Sequence, residues 1–111
     1  MTEEDATKAV AAALAALERD SEAAAGAIRK IGDPNQAFHQ ATELVETLRK
    51  LYEASADLRA EQAARIFETE RMSLAGLADR IGVSKARAAQ LVKTAKSVGR
   101  PKAETSEDEH V

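Results

Sequence analysis

Between Ser84 and Lys96 the chain gathers Ser84, Lys85, Arg87, Gln90, Lys93 and Lys96 with no acidic side chain among them. Lysine and arginine donate to phosphate oxygens, and a glutamine amide reaches base edges, typically adenine N6 and N7. A serine at a helix start leaves backbone N–H groups free for a phosphate oxygen. The chemistry within reach of this set is recognition of a grooved polyanion, not bond-making.

Positioning such a set takes two short helices and a tight turn. Ser73 is placed as an N-cap. Leu74, Leu77, Ala78 and Ile81 follow at helical spacing and form one apolar face. Gly82 can adopt positive φ and end that helix, and Val83 is placed to anchor the turn in the core. Ser84 opens a second helix whose inward stripe is Ala88, Leu91, Val92 and Ala95. Ala78 and Ala88 are small where the two helices must approach most closely. The outward positions are Lys85, Ala86, Arg87, Ala89, Gln90, Lys93 and Lys96. This is the layout of a helix-turn-helix, which lays its second helix in the major groove of DNA.

The segment Gly82-Val83-Ser84-Lys85-Ala86-Arg87-Ala88-Ala89-Gln90-Leu91 resembles the recognition helix in the fourth conserved region of bacterial sigma factors, commonly G-V-S-R-E-R-V-R-Q-I. It is also similar to small sigma-like helix-turn-helix proteins of high-GC actinobacteria. The resemblance covers about Leu58 to Lys96. It implies that Lys85, Ala86, Ala89 and Gln90 face bases and backbone. Lys85 and Gln90 keep that polar chemistry, whereas Ala86 and Ala89 stand where the family carries glutamate and arginine. Regions that bind the polymerase core or melt DNA have no counterpart, so the resemblance implies the module and not sigma activity.

Net charge is −3, which by itself argues against a polyanionic partner. Its distribution reverses that argument. Residues 73–102 carry seven cations against Asp79, a net of +6, while residues 103–111 carry four anions and no cation. Positive charge is concentrated on the proposed recognition element, as phosphate attraction requires. Phe38, Tyr52 and Phe67 are the only aromatics, and glycine and proline are scarce in an alanine-, leucine-, glutamate- and arginine-rich chain. Composition therefore favours an all-α protein. There is no cysteine, hence no disulfide or thiolate metal site. No apolar run is long enough to span a bilayer. The acidic start, MTEEDATK, lacks the charge pattern of a signal peptide, so a bacterial cytoplasm, on the nucleoid, is the expected location.

Upstream, Thr2 is a candidate N-cap, and Glu3, Glu4 and Asp5 suit the positive end of a helix. Val10, Leu14, Leu17, Ser21, Ala24, Ile28 and Ile31 recur at spacings of four and three, a coiled-coil-like seam. Gly32-Asp33-Pro34 breaks it: Gly32 to cap the first helix, Asp33 and Pro34 to begin the next. That next helix has a broad stripe, Ala37, Phe38, Ala41, Leu44, Val45, Leu48, Leu51 and Tyr52. The short connection favours an antiparallel hairpin with one face for itself and one for a partner. Leu58, Ala63, Ile66, Phe67 and Met72 fit the first helix of a three-helix DNA-binding unit. Whether the chain breaks near Ser55 or continues as one helix is not fixed by pattern.

The expected organisation is a helical hairpin over 1–56 serving as a dimerisation arm, a tri-helical helix-turn-helix domain over 57–98, and a basic-then-acidic disordered tail over 99–111. In the tail, Gly99-Arg100-Pro101-Lys102 resembles an AT-hook core, which would lay Arg100 in the minor groove. The acidic segment 103–111 is expected to be solvated. A competing role for it is folding back on the basic helix.

His39 and His110 fit no metal-ligand spacing, and no phosphate loop or nucleophile elbow occurs. No enzyme activity, cofactor, metal or effector pocket is expected. The expected function is sequence-preferring binding of double-stranded DNA by a homodimeric transcriptional regulator. Its DNA-facing set comprises Ser73, Ser84, Lys85, Ala86, Arg87, Ala89, Gln90, Lys93, Lys96 and Arg100. Two alternatives compete: a nucleoid-associated or plasmid-partition protein of low sequence specificity, and a protein-interaction adaptor.

Overall fold

The computed structural model describes residues 1–98. Among these residues the protein is all-helical, with four helices and no strand: α1 (Glu3–Arg29), α2 (Pro34–Thr69), α3 (Leu74–Ile81) and α4 (Lys85–Val98). No helix among them is long and apolar enough to cross a membrane.

Local chemistry explains most of the boundaries. Thr2 opens α1 with a capping box: its Oγ1 accepts from the Asp5 N–H at 3.0 Å, and Asp5 Oδ2 accepts from the Thr2 N–H at 3.3 Å. Glu3, Glu4 and Asp5 then occupy the turn where the helix dipole is positive. The far end differs from the expectation that Gly32 would cap it. Lys30 is the cap, in right-handed geometry. The chain tightens there into bonds from Lys30 N–H to the Ala27 carbonyl and from Ile31 N–H to the Ile28 carbonyl, both 3.1 Å. Those shorter bonds satisfy two of the terminal carbonyls, and the end is made without a left-handed residue. Asp33 does cap α2, its Oδ1 accepting from the Asn35 N–H at 3.1 Å, and Pro34 takes the first helical position.

α2 runs through Ser55 without a break. The Ser55 hydroxyl donates to the Leu51 carbonyl at 2.8 Å, so its polar group is satisfied within the helix. α2 ends at Thr69, and Met72 lies in the turn beyond it instead of in the helix.

The chain divides into two compact units, Met1–Arg49 and Lys50–Val111. In the first, α1 has no buried residue. Ser21, Ala24, Ile28 and Ile31 of its seam are half-buried, as are Ala37, Ala41 and Leu44 on α2. The upper seam stays in solvent: Val10, Leu14 and Leu17 are each more than half exposed, and on α2 so are Phe38 and Val45.

The second unit holds the core. Leu77, Ala78, Ala88 and Val92 form one buried cluster, with Ile66, Phe67, Met72, Leu74, Ile81 and Val83 packed against it. Ala60, Ala63 and Leu91 form another, flanked by Ile81 and Ala95. Leu77 is fully buried, and truncating such a side chain to alanine costs about 2–5 kcal/mol. Leu58, grouped in the sequence with Ala63, Ile66 and Phe67 as part of one helix, lies on that helix but is 55% exposed, whereas Ala60 is buried at 0%. Helical spacing is the reason: Ala60 shares a face with Ala63 and Ala64, and Leu58 lies on the opposite side of α2.

Candidate nucleic-acid interface

Ser73 and Ser84 each start a helix in the same way. Ser73 Oγ accepts from the Gly76 N–H, and Ser84 Oγ from the Arg87 N–H, both at 3.0 Å. The Ser84 carbonyl takes the Ala88 N–H at 2.9 Å. Within α4 the N–H groups of Lys85 and Ala86 precede the first helical hydrogen bond and face outward from the helix end. Each serine keeps its own O–H as a donor.

Gly82 makes the turn between them. Its φ of 72° and ψ of 38° are left-handed, a conformation that penalises any residue with a Cβ. Val83 N–H reaches back to the Ala78 carbonyl at 2.9 Å, the long bond of a Schellman ending. The same bond brings Val83 against the Leu77–Ala88 cluster. Ala78 and Ala88, 5% and 0% exposed, lie in that cluster and let α3 and α4 close on each other.

With Ala88, Leu91 and Val92 buried and Ala95 half-buried, the opposite side of α4 is fixed. Lys85, Ala86, Arg87, Gln90, Lys93 and Lys96 are all exposed. Ala89 is half-buried, so its methyl group turns partly toward the protein. Gln90 Nε2 sits 3.4 Å from Thr94 Oγ1, a long contact that holds the amide only loosely. Lys85, Arg87, Lys93 and Lys96 take part in no ion pair among the described residues.

Arg80 behaves differently. Its Nη1 lies 2.8 Å and 2.9 Å from the two oxygens of Glu70, so this cation is neutralised locally. Glu70 follows α2, ten residues earlier in the chain. No helical spacing rule links residues so far apart, and that is why the sequence alone counted Arg80 with the free charge. Arg100, the Gly99–Lys102 segment and the acidic stretch 103–111 lie outside the described residues.

His39 is exposed. No group of three or more histidine, cysteine, aspartate or glutamate side chains could hold a metal among the described residues. No protein-family model matches the chain, and neither does any curated protein or any solved structure.

Proposed function

We propose that this protein is a sequence-preferring double-stranded DNA-binding regulator. It inserts α4 into the major groove and works as a homodimer through α1 and the first part of α2. The end of α2 with α3 and α4 then acts as a tri-helical helix-turn-helix, and α1 with α2 forms an antiparallel hairpin arm. The observation that carries this reading is the exposed row of Ser84, Lys85, Arg87, Gln90 and Lys93 on a helix whose other side is locked into the core. A rigid helix with unpaired cations and an amide on one side fits a groove lined by phosphates.

In this reading Lys85 and Gln90 address base edges and nearby backbone, Arg87, Lys93 and Lys96 anchor phosphates, and Ser73 and Ser84 donate from helix starts. Repression by occlusion is the simplest mechanism, in the bacterial cytoplasm on the nucleoid. Self-association is supported by the exposed Val10, Leu14 and Leu17 on α1 and Phe38, Val45 and Leu48 on α2. Apolar surface of that kind marks an interaction site, and a second copy supplies matching apolar chemistry. A two-fold pair doubles the base contacts across half-sites about one helical turn apart.

One observation favours a second reading, a nucleoid-associated protein that coats DNA. Ala86 is exposed and Ala89 half-exposed on α4, and neither side chain can read a base by hydrogen bonding.

Selection of bound duplexes from a random pool, followed by gel shifts at two salt concentrations, separates the readings. A regulator enriches a motif with two-fold symmetry and holds it at moderate salt, each mismatch costing about 1–3 kcal/mol. A coating protein enriches nothing and loses all duplexes together as salt rises. An adaptor binds no duplex at any salt.

A further inference from the structure

A cleft of about 360 Å³ opens in the second unit beside α4. Its apolar lining comes from Ala63 and Ile66 on α2, Ile81 and Val83 around the turn, and Leu91 on α4. That size is in the range of small-molecule sites, which are apolar with a few placed polar groups. The charged groups here are of one sign. Arg59 and Arg87 line the cleft from α2 and α4, and no carboxylate lines it.

Neither guanidinium takes part in an ion pair among the described residues, whereas Arg49 is paired with Glu46 and Arg80 with Glu70. Gln62 also lines the cleft, and its Oε1 already accepts from Arg65 at 3.2 Å. Its amide N–H₂ is left as the unengaged end, a further donor. An apolar floor flanked only by donors and cations complements a ligand with an apolar body and one anionic group.

We propose that this cleft binds a small amphipathic carboxylate, its aliphatic or aromatic body against Ile66, Ile81 and Leu91 and its carboxylate on Arg59 and Arg87. The carboxylate claims Arg87, which the DNA reading uses as a phosphate anchor. Ligand binding then removes one cation from the DNA-facing set and weakens DNA binding. The coupling rests on the proposed function, while the ligand site stands on the cleft alone.

Octanoate and 1-octanol are the probes, titrated into the full ¹⁵N-labelled chain and read by amide chemical shifts. Octanoate gives saturable shifts at Ile66, Val83, Arg87 and Leu91. 1-Octanol binds about tenfold more weakly or less, because it lacks the charge, and Arg59→Gln weakens octanoate by about tenfold. On a DNA duplex, saturating octanoate lowers affinity roughly fivefold at 0.15 M salt, the contribution of one phosphate contact, and lowers the salt slope by about 0.9. In Arg59→Gln the same fall in DNA affinity needs about tenfold more octanoate.

Equal binding of octanoate and 1-octanol overturns the carboxylate site. So do shifts confined to the Val10–Leu17 face, or cleft amides that move on dilution and not with octanoate, which would assign the cleft to a second copy. Octanoate binding with unchanged DNA affinity overturns the coupling. If octanoate shifts the cleft amides as expected but no duplex binds at all, the DNA reading fails and the ligand site stands.

Discussion

Arg80 and Glu70 are joined across the turn between α2 and α3, one guanidinium nitrogen lying within 2.9 Å of both carboxylate oxygens. Both side chains are about half exposed, so the pair contributes little to stability, about 0.2–1 kcal/mol. Its other effect is to remove Arg80 from the positive field beside α4. Glu70→Gln should therefore lower the thermal midpoint only slightly and tighten DNA binding at low salt. In a double-mutant cycle with Arg80→Gln the coupling should fall within that same range.

Arg71 has a φ of 48° and Gly82 a φ of 72°, so two turns in one unit use left-handed backbone. Only one of them has glycine. A side chain in that conformation costs roughly 1–2 kcal/mol, part of which glycine returns through its greater unfolded-state entropy. Arg71→Gly should stabilise the protein by about 0.5–1 kcal/mol, and Gly82→Ala should destabilise it by about 1 kcal/mol or more. Urea unfolding monitored by circular dichroism checks both signs, with the slope against denaturant expected to stay constant.

Leu14 and Val45 are each 54% exposed, so charge placed there disturbs no core within the single chain. Sedimentation equilibrium of the unsubstituted protein should give twice the 11.9 kDa chain mass, and Leu14→Asp combined with Val45→Asp should give the chain mass itself. Helicity should be largely retained in the dissociated variant. DNA affinity should fall more for a symmetric double site than for an isolated half-site.

The exposed lysines and the amide on α4 should separate by readout. Lys93→Ala with Lys96→Ala should weaken all duplexes about equally and lower the salt slope by about 2. Lys85→Ala with Gln90→Ala should relax discrimination at one or two positions of the half-site. Gel shifts across a salt series, on the selected duplex and on single-base variants of it, distinguish the two patterns.

Much of the positioning machinery is legible in residue order because it is local. The caps at Thr2, Ser73 and Ser84 and the turn at Gly82 depend on neighbours within a few positions. The buried stripe of Ala88, Leu91 and Val92 follows from helical periodicity in the same way. Periodicity is silent where both outcomes fit it. The span through Ser55 reads equally well as one helix or two, and Gly32 offers a cap that the tighter bonds around Lys30 make unnecessary.

The remainder required chain segments far apart in sequence to meet. The packing of Leu91 against Ala60 and Ala63 is one such meeting; the buried face of α2 then follows helical spacing, which groups Ala60 with Ala63, Ala64 and Phe67 and turns Leu58 away. The Glu70–Arg80 pair and the cleft between Arg59 and Arg87 join residues that no spacing rule relates. Helix type, caps and the cationic row were thus written in the order of residues, because backbone hydrogen bonding and side-chain periodicity act over one or two turns. Which charges remain unpaired, and which apolar residues find cover, was decided by tertiary packing, because both depend on what the fold brings alongside.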